Sequence, residues 1–586
     1  MNKLSENEIE SVKSIISEKF AQKPSAHDRF FGEEVESHLG EKYIDRNEFS
    51  RDRDRILYTN AFRRLQHKAQ VYSNKKGDHY RTRLTHTLEV NQIAKSISKN
   101  LGLNIDLTEA IALGHDIGHT PFGHAGEEVL DNIMKGQDDL GGKLEYPIDY
   151  GGFKHNMNSI KILEIIEEKG GENGLNLTWQ TLDGILKHTS IIKEKKDKKW
   201  DLRRFVEDYS NYDFIAGYDY YDESSEPKYK FPLTLEGQVV AIADEIAQRQ
   251  HDINDSLRDK ELDFINLFEN IEEKIKFVLN DFNQTEDGYD LFIKFENEVS
   301  NLKSSDDKLI WNEFFSLLIS YFIIDVTENT MINISQIVKN DTIDDVILIS
   351  DYNKKYITEE LVEFSKVGKR FNDLIEEFVE KKIINSFNVN RFDGKGKYIL
   401  RQLFKAYYEN PRQMPKNQLK ILSTNLLNIV NDYPILNKKF SIITIDFKEL
   451  FNIDQEGLYF DYRNIDSLLE ILKFNSDYKI SKEDYDDFSK SMNELVDFFN
   501  IDIQEKYDQN FDFNETLKFL FFYLFNYVNC YSFNEIKGFE MESLDFVLFL
   551  KGWVELHYAY LSVICDYISQ MTDDYALKEY EELYSI

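Results

Sequence analysis

In THTLEVNQIAKSISKNL, residues 85–101, the apolar positions Val90, Ile93 and Ile97 recur at spacings of three and four. That is the period of a helix with one buried face, and His86 falls on the same stripe. TEAIALGHDIG, residues 108–118, repeats the pattern: Ile111 lies four before His115 and Ala112 four before Asp116. The HD pair is thereby predicted at the inward edge of a helix that stops near Gly118. In QVVAIADEIAQRQHD, residues 238–252, Val240 and Ala247 give Asp244 an inward face. Three helices can therefore converge His86, His115, Asp116 and Asp244.

The rest of the chain follows the same period, and the expected fold class is all-α. Only eight prolines occur in 586 residues, with none between Pro232 and Pro411 and none after Pro434. Long helices require such gaps, because an interior proline removes a hydrogen bond and clashes with the preceding turn. Short strands are expected at DVILIS (345–350) and SIITIDF (441–447), without the alternation of a βαβ fold. No glycine-rich phosphate loop of the Rossmann or Walker type occurs. The expected organisation is a helical core over residues 1–260, a helical region over 261–425, and a divergent helical segment over 426–586.

Composition narrows the chemistry. At 41% apolar content the chain can bury large cores. Its two cysteines, Cys530 and Cys565, match no metal spacing and make thiol catalysis or a disulfide scaffold a poor expectation. The N-terminal segment lacks the apolar stretch of a secretory signal, so a cytoplasmic location is expected. The most apolar runs, FFSLLISYFII (314–324) and FLFFYLFNYV (519–528), fall short of the roughly 20 residues that span a bilayer. Both are expected as buried helix segments, and no membrane partner is expected.

The formal net charge of −35 repels polyanions at long range and disfavours single-stranded DNA as a partner. Residues 50–83 break that trend with a local balance of +7, immediately before His86. A small polyanion could be drawn there; a basic face paired with carboxylates elsewhere is the structural alternative. Nine of the 12 histidines fall between His67 and His251. Two imidazoles and two carboxylates suit one divalent ion, with Mn or Mg expected and Fe, Co, Ni or Zn compatible. Any one of the four, taken alone, has an ordinary reading as a hydrogen-bonded core residue.

The order H…HD…D is the signature of the HD superfamily of metal-dependent phosphohydrolases. The segments RDRDRILYTNAFRRLQHKAQV, DHYRTRLTHTLEVNQIAKSI, EAIALGHDIGHTPFGHAGEE, GGFKHNMNSIKIL, GLNLTWQTLDGILKH and ADEIAQRQHDIND closely resemble the bacterial deoxyguanosine triphosphate triphosphohydrolases (dGTPases). Similarity is dense over residues 27–260 and thinner at Gly394–Pro415 and Cys565–Ala576.

The resemblance implies hydrolysis of deoxynucleoside triphosphates (dNTPs) to deoxynucleoside and tripolyphosphate, with His86, His115, Asp116 and Asp244 as metal ligands. It implies His124 and Glu127 as a catalytic pair beside the attacking water, and His155 as a proton donor to the leaving oxygen. Arg83 and His119 stand where the family contacts phosphates, Gln70 and Val71 where it meets sugar or base, and Asp252 where it reads the 3′-hydroxyl. Gln248 and Asp574 depart from the Tyr and Arg of many relatives, which leaves sugar selectivity and a subunit or regulatory contact open.

Asp252 lies roughly 12 Å along its helix from Asp244 and cannot ligate the same ion. His251-Asp252 is therefore read as substrate-binding or structural, His188 as structural, and His67 as a surface or interface residue. A homo-oligomer and a regulatory dNTP are further expectations of the family. The alternatives are another HD reaction, such as 5′-nucleotidase or cyclic-nucleotide phosphodiesterase chemistry, and a nucleotide-sensing protein without activity.

Overall fold

The computed structural model describes residues 4–25, 28–29, 46–70, 81–144, 147–167, 174–189, 229–258, 264–302, 310–349, 354–434, 451–454, 457–460 and 544–584. The described residues are mostly helical. In the first half, the helices are α1 (Glu6–Ile15), α2 (Glu48–Leu57), α3 (Asn60–Arg64), α4 (Arg83–Leu101), α5 (Ile105–Gly114), α6 (Gly123–Met134), α7 (His155–Lys161), α8 (Trp179–Lys187) and α9 (Leu235–Arg258). The second half has α10 (Phe264–Asp281), α11 (Tyr289–Leu302), α12 (Ile310–Lys339), α13 (Ile343–Val346), α14 (Lys366–Val379), α15 (Phe387–Glu409), α16 (Lys416–Asp432), α17 (Leu544–Ser569) and α18 (Asp573–Tyr584).

Two antiparallel hairpins complete the described elements: β1 (Ile347–Ile349) with β2 (Lys355–Ile357), and β3 (Phe451–Asp454) with β4 (Gly457–Phe460). Of the two strands expected from sequence, 345–350 contains β1, although Asp345 and Val346 close α13 instead. The 441–447 candidate lies outside the described residues.

Local signals in the chain set the ends of the helices that matter most. Thr82 caps α4 by accepting a hydrogen bond from the Thr85 amide, and Gly102 closes it at φ +79°, a backbone state that suits a residue without a Cβ. Asn104 then caps α5 by accepting from the Leu107 amide at 3.2 Å. The α5 helix stops at Gly114, so His115 and Asp116 sit in the turn just beyond it rather than on its last turn as the periodicity suggested. The turn packs closely on the start of α7 at Gly118, where an added Cβ would stand 2.1 Å from the His155 carbonyl oxygen and 2.3 Å from the Ser159 amide. Gly118 N–H donates to Ser159 Oγ at 2.9 Å, and Asn158 Nδ2 donates to the Gly118 carbonyl at 2.7 Å, locking the turn onto α7.

Hydrophobic packing forms two cores that do not follow chain order. One gathers α1, α2, α4, α5, α8, α9 and the helices α10 to α12 and α14. The other gathers Val129, Leu130 and Ile133 of α6 with α15, α16 and α17. A helix from the N-terminal half is thus anchored in a core built mainly by the C-terminal half.

The apolar run at 314–324 lies in α12; the run at 519–528 lies outside the described residues. By length and composition, Asn312–Lys339 and Val547–Ser569 are long and apolar enough to cross a membrane, which the shorter runs had not suggested. In the fold, 83% of the second segment's most apolar window is buried inside the protein. In the first, buried Asp325 accepts hydrogen bonds from the Ser365 amide at 2.9 Å and the Ser365 hydroxyl at 2.6 Å, partners supplied by the protein itself.

The C-terminal end reaches back to the 119–123 turn. Asp573 accepts from the amides of Ala69 and Phe122, both at 2.9 Å. The buried Lys68 ammonium donates to the carbonyls of His119 and Ser569. These contacts give the sequence similarity at 565–576 a structural role. Replacing Asp573 with alanine would leave two backbone N–H groups without their acceptor, at a cost of about 1–3 kcal/mol for each one that stays dry. Asp573→Ala is expected to lower the melting temperature measurably and to reduce turnover with it; unchanged values in both would contradict this bracing role.

Candidate active site

The three helices converge as the periodicity predicted. His86 Nε2 of α4 lies 2.9 Å from Asp244 Oδ1 of α9 and 3.8 Å from Asp116 Oδ2. His115 Nε2 is 3.6 Å from Asp116 Oδ1 and 3.7 Å from Asp244 Oδ1. Ligand-type atoms of His86, His115 and Asp116 all lie within 4.8 Å of one another, and Asp244 contacts both imidazoles.

The tautomer of His115 fits a cation. Its Nδ1 is 2.6 Å from the Ala112 carbonyl, an acceptor only, so Nδ1 carries the proton and neutral His115 presents a bare lone pair at Nε2. That buried atom has no hydrogen-bond partner and faces two carboxylates. Acceptors turned toward one another in a dry site call for a positive charge, either a divalent ion or a proton.

The electrostatics agree. Burial opposes charging of His115, but Asp116 and Asp244 outweigh it and push its pKa up to about 9. Burial also opposes ionisation of Asp116, yet His119, His115 and Arg83 hold it well below the ordinary range. For Asp244, His115 and His86 overcome burial in the same way.

A second group adjoins the first. Glu127 of α6 is contacted by His155 Nδ1 at 2.6 Å and by Lys154 Nζ at 3.0 Å. Burial opposes its ionisation, and these two neighbours override it. His119 joins the groups: its Nε2 is 3.0 Å from Asp116 Oδ1, and its ring stacks on that of His155 with centroids 3.8 Å apart. His124, also on α6, stands edge-on to His119 at 5.3 Å between centroids. It is solvent-accessible, yet surroundings dense enough to desolvate it press its pKa down to about 4, so the ring is neutral at pH 7. His124 and Glu127, the catalytic pair that the resemblance implies, share α6, while the side chains that contact the Glu127 carboxylate are His155 and Lys154. Both oxygens of the carboxylate are already engaged by those two side chains.

Arg83, the first residue of α4, is buried and donates from Nη1 to Asp116 Oδ2 at 2.9 Å. Its Nε and Nη2 have no hydrogen-bond partner among the described residues, and the lack of a side chain at Gly123 leaves room beside Nη2. Other cations of the basic segment are tied up: Arg53 contacts Asp54, Asp106 and Glu109, and Arg81 contacts Glu89 and Asp255. The paired-face alternative therefore describes these residues, while Arg83 retains free donors for an anion.

Half-buried Gln70 keeps its Oε1 without a partner, whereas Val71 lies outside the described residues. On α9, Gln248 is half-buried, and Asp252 is buried with Oδ1 unpartnered and its pKa pushed up to about 7 by burial.

Sequence reasoning missed three participants. His188, read as structural, has Nε2 3.4 Å from His155 Nε2 and its ring 5.1 Å from that of His115. It lacked any charged neighbour at ligand spacing, although it closes GLNLTWQTLDGILKH, one of the segments that resemble the family. Lys154 adjoins His155 in sequence but showed no pattern of its own. His251 has its Nδ1 2.9 Å from that of His86.

These are the features of a metal-dependent phosphohydrolase of the HD type, and residues 83–248 match the HD domain family. The chain belongs to the family of deoxyguanosinetriphosphate triphosphohydrolase-like proteins. It is 34% identical over 425 residues to such a protein of Geobacter metallireducens, covering 70% of this chain and 92% of the relative. Similarity to the protein of that name from Rickettsia felis is 35% over 382 residues, covering 65% of this chain and 84% of that one.

The raised pKa of His115 fixes a sign. Without metal, the protonated ring stabilises the fold fully below the unfolded value of 6.5, and that contribution is lost as pH rises through about 9. A metal must displace this proton, so Mn²⁺ is expected to bind more tightly at pH 8.5 than at pH 6.5, with proton release on uptake. Calorimetry in buffers of different ionisation enthalpy measures both quantities; affinity independent of pH without proton release would contradict the assignment.

Proposed function

We propose that this HD phosphohydrolase cleaves deoxynucleoside triphosphates at the α-phosphorus, releasing deoxynucleoside and intact tripolyphosphate. The observation that carries the reading is the adjacency of two groups. The ligand set of His86, His115, Asp116 and Asp244 lies one stacked ring away from the Glu127–His155 pair, and Arg83 borders the ligand set with two unpartnered guanidinium nitrogens. The relatives' printed name supports the same substrate class.

A divalent ion, Mn²⁺ or Mg²⁺, would supply Lewis acidity to a phosphate oxygen when held by those four residues. Arg83, pinned through Nη1 to Asp116, presents Nε and Nη2 to the remaining phosphate oxygens, where positioned donors favour the charge that develops. Neutral, accessible His124 takes a proton from the attacking water. Burial lowers the pKa of His155 and Glu127 offsets part of that, so that His155, when protonated, delivers a proton readily to the departing 5′-oxygen. The water oxygen bonds to phosphorus as the P–O5′ bond breaks. Asp252 accepts from the 3′-hydroxyl through its unpartnered oxygen.

Chromatography of an early reaction with each dNTP in turn is expected to show deoxynucleoside and tripolyphosphate in equal amounts for the best substrate. Accumulation of nucleoside monophosphate with pyrophosphate would overturn the proposal while leaving an HD phosphohydrolase in place.

His124→Ala separates chemistry from ligation. This variant is expected to retain bound metal while kcat falls by roughly 10², the usual scale for a lost proton acceptor. Loss of metal from that variant would place His124 among the ligands instead.

A further inference from the structure

His86 is held from two sides. Its Nε2 faces Asp244, and its Nδ1 lies 2.9 Å from Nδ1 of His251, which is also on α9. Asp244 and His251 are seven residues apart, close to two helical turns, so they project from one face of α9 with the His86 ring between them. The far nitrogen of His251, Nε2, meets the carboxylate of Glu89 on α4. Glu89 in turn accepts from Arg81 Nε at 3.0 Å, and Arg81 Nη1 reaches Asp255 of α9 at 2.8 Å. These contacts tie α9 to α4 and to Arg81 just before it, and only the Glu89–Arg81 step stays on one side.

Two neutral rings bring two protons to three contacts, and when a cation lies between His86 Nε2 and Asp244 that contact needs none. A carboxylate only accepts, so with that cation in place His251 carries its proton on Nε2, the nitrogen that faces Glu89. Nδ1 of His251 is then a bare lone pair and accepts. The facing Nδ1 of His86 must therefore carry the proton, which leaves Nε2 of His86 unprotonated and turned toward Asp244. A metal-ligating imidazole needs that tautomer and that orientation. Were His251 to carry its proton on Nδ1 instead, His86 Nδ1 would have to accept, and its proton would sit on Nε2, where an ion must bind.

We propose that His251 and Glu89 are positioning residues that fix the tautomer and the direction of His86, and so set how tightly the divalent ion is held. The proposal rests on the reading of His86 as a metal ligand. His251 touches neither ion nor substrate; it acts through His86, and Glu89 acts through His251. This gives the first half of the second His-Asp pair, His251-Asp252, a role distinct from that of Asp252.

The test reads metal affinity without substrate. Glu89 has an accessible side chain on α4, so Glu89→Ala is expected to fold normally, with a melting temperature close to that of the parent in the metal-free state. Its Mn²⁺ affinity, measured by calorimetry, is expected to fall by about 10- to 100-fold, the scale found when an outer partner of a ligating histidine is lost. In Glu89→Gln the amide oxygen still accepts from Nε2–H, and affinity is expected to return to within a few-fold of the parent. His251→Gln, whose side-chain oxygen can accept from His86, is expected to bind more tightly than His251→Leu.

Turnover lost in Glu89→Ala is expected to recover at saturating Mn²⁺, which a general loosening of the fold would not produce. Parental metal affinity in Glu89→Ala, or equal losses in the Ala and Gln variants, would overturn the proposal. Asp116→Ala serves as the reference: if it loses Mn²⁺ while Glu89→Ala does not, the ligand assignment stands and the positioning role falls. If the parent protein binds no Mn²⁺, both fall together.

Discussion

The Asp116 carboxylate is the constraint around which this site is built. A buried ionised carboxylate is costly unless cations and donors surround it. Arg83, His119, His115 and His86 approach it within 2.9–3.8 Å, two of them from α4 and two from the turn that carries Asp116 itself. The turn that carries Asp116 is clamped to α7 through Gly118, which brings His155 beside Glu127 and His119. Satisfying one buried charge thus assembles both halves of the site. It also explains the concentration of imidazoles, since a neutral ring can donate from one nitrogen and leave the other free for an ion or a proton.

The second condition is where α6 is anchored. His124 and Glu127 ride on a helix whose apolar face packs with α15 and α17, while His86 and Asp244 ride on α4 and α9, and His115 and Asp116 on the turn after α5, all elements of the other core. The active site therefore lies at the seam of two cores, and Asp573 and Lys68 stitch the 119–123 turn across it. Packing on each side thus fixes the separation of the Glu127–His155 group from the His86, His115, Asp116 and Asp244 group.

Buried charge is distributed unevenly along the basic segment. Arg53 and Arg81 are matched by carboxylates of neighbouring helices and contribute to packing. Arg83 is matched on one side only. That asymmetry, and not the excess of positive residues in the sequence, separates a side chain ready for an anion from one that braces the fold.

Much of this was legible in the chain. The 3.6-residue period placed His86 and Asp244 on inward faces, because apolar neighbours at i±3 and i±4 leave a helix only one way to bury its stripe. The scarcity of prolines gave the helical class, and the motifs H…HD…D marked the four residues that the fold brings together. Sequence spacing could not choose the partner of Glu127, since His124 shares its helix while Lys154 and His155 arrive from α7. Nor could it show that the helix ends before His115, or that His188 and His251 join the cluster. Periodicity reports which way a side chain points from its own helix. Which nitrogen meets which oxygen is decided by the separation and crossing of helices far apart in sequence, and only the folded chain sets those distances.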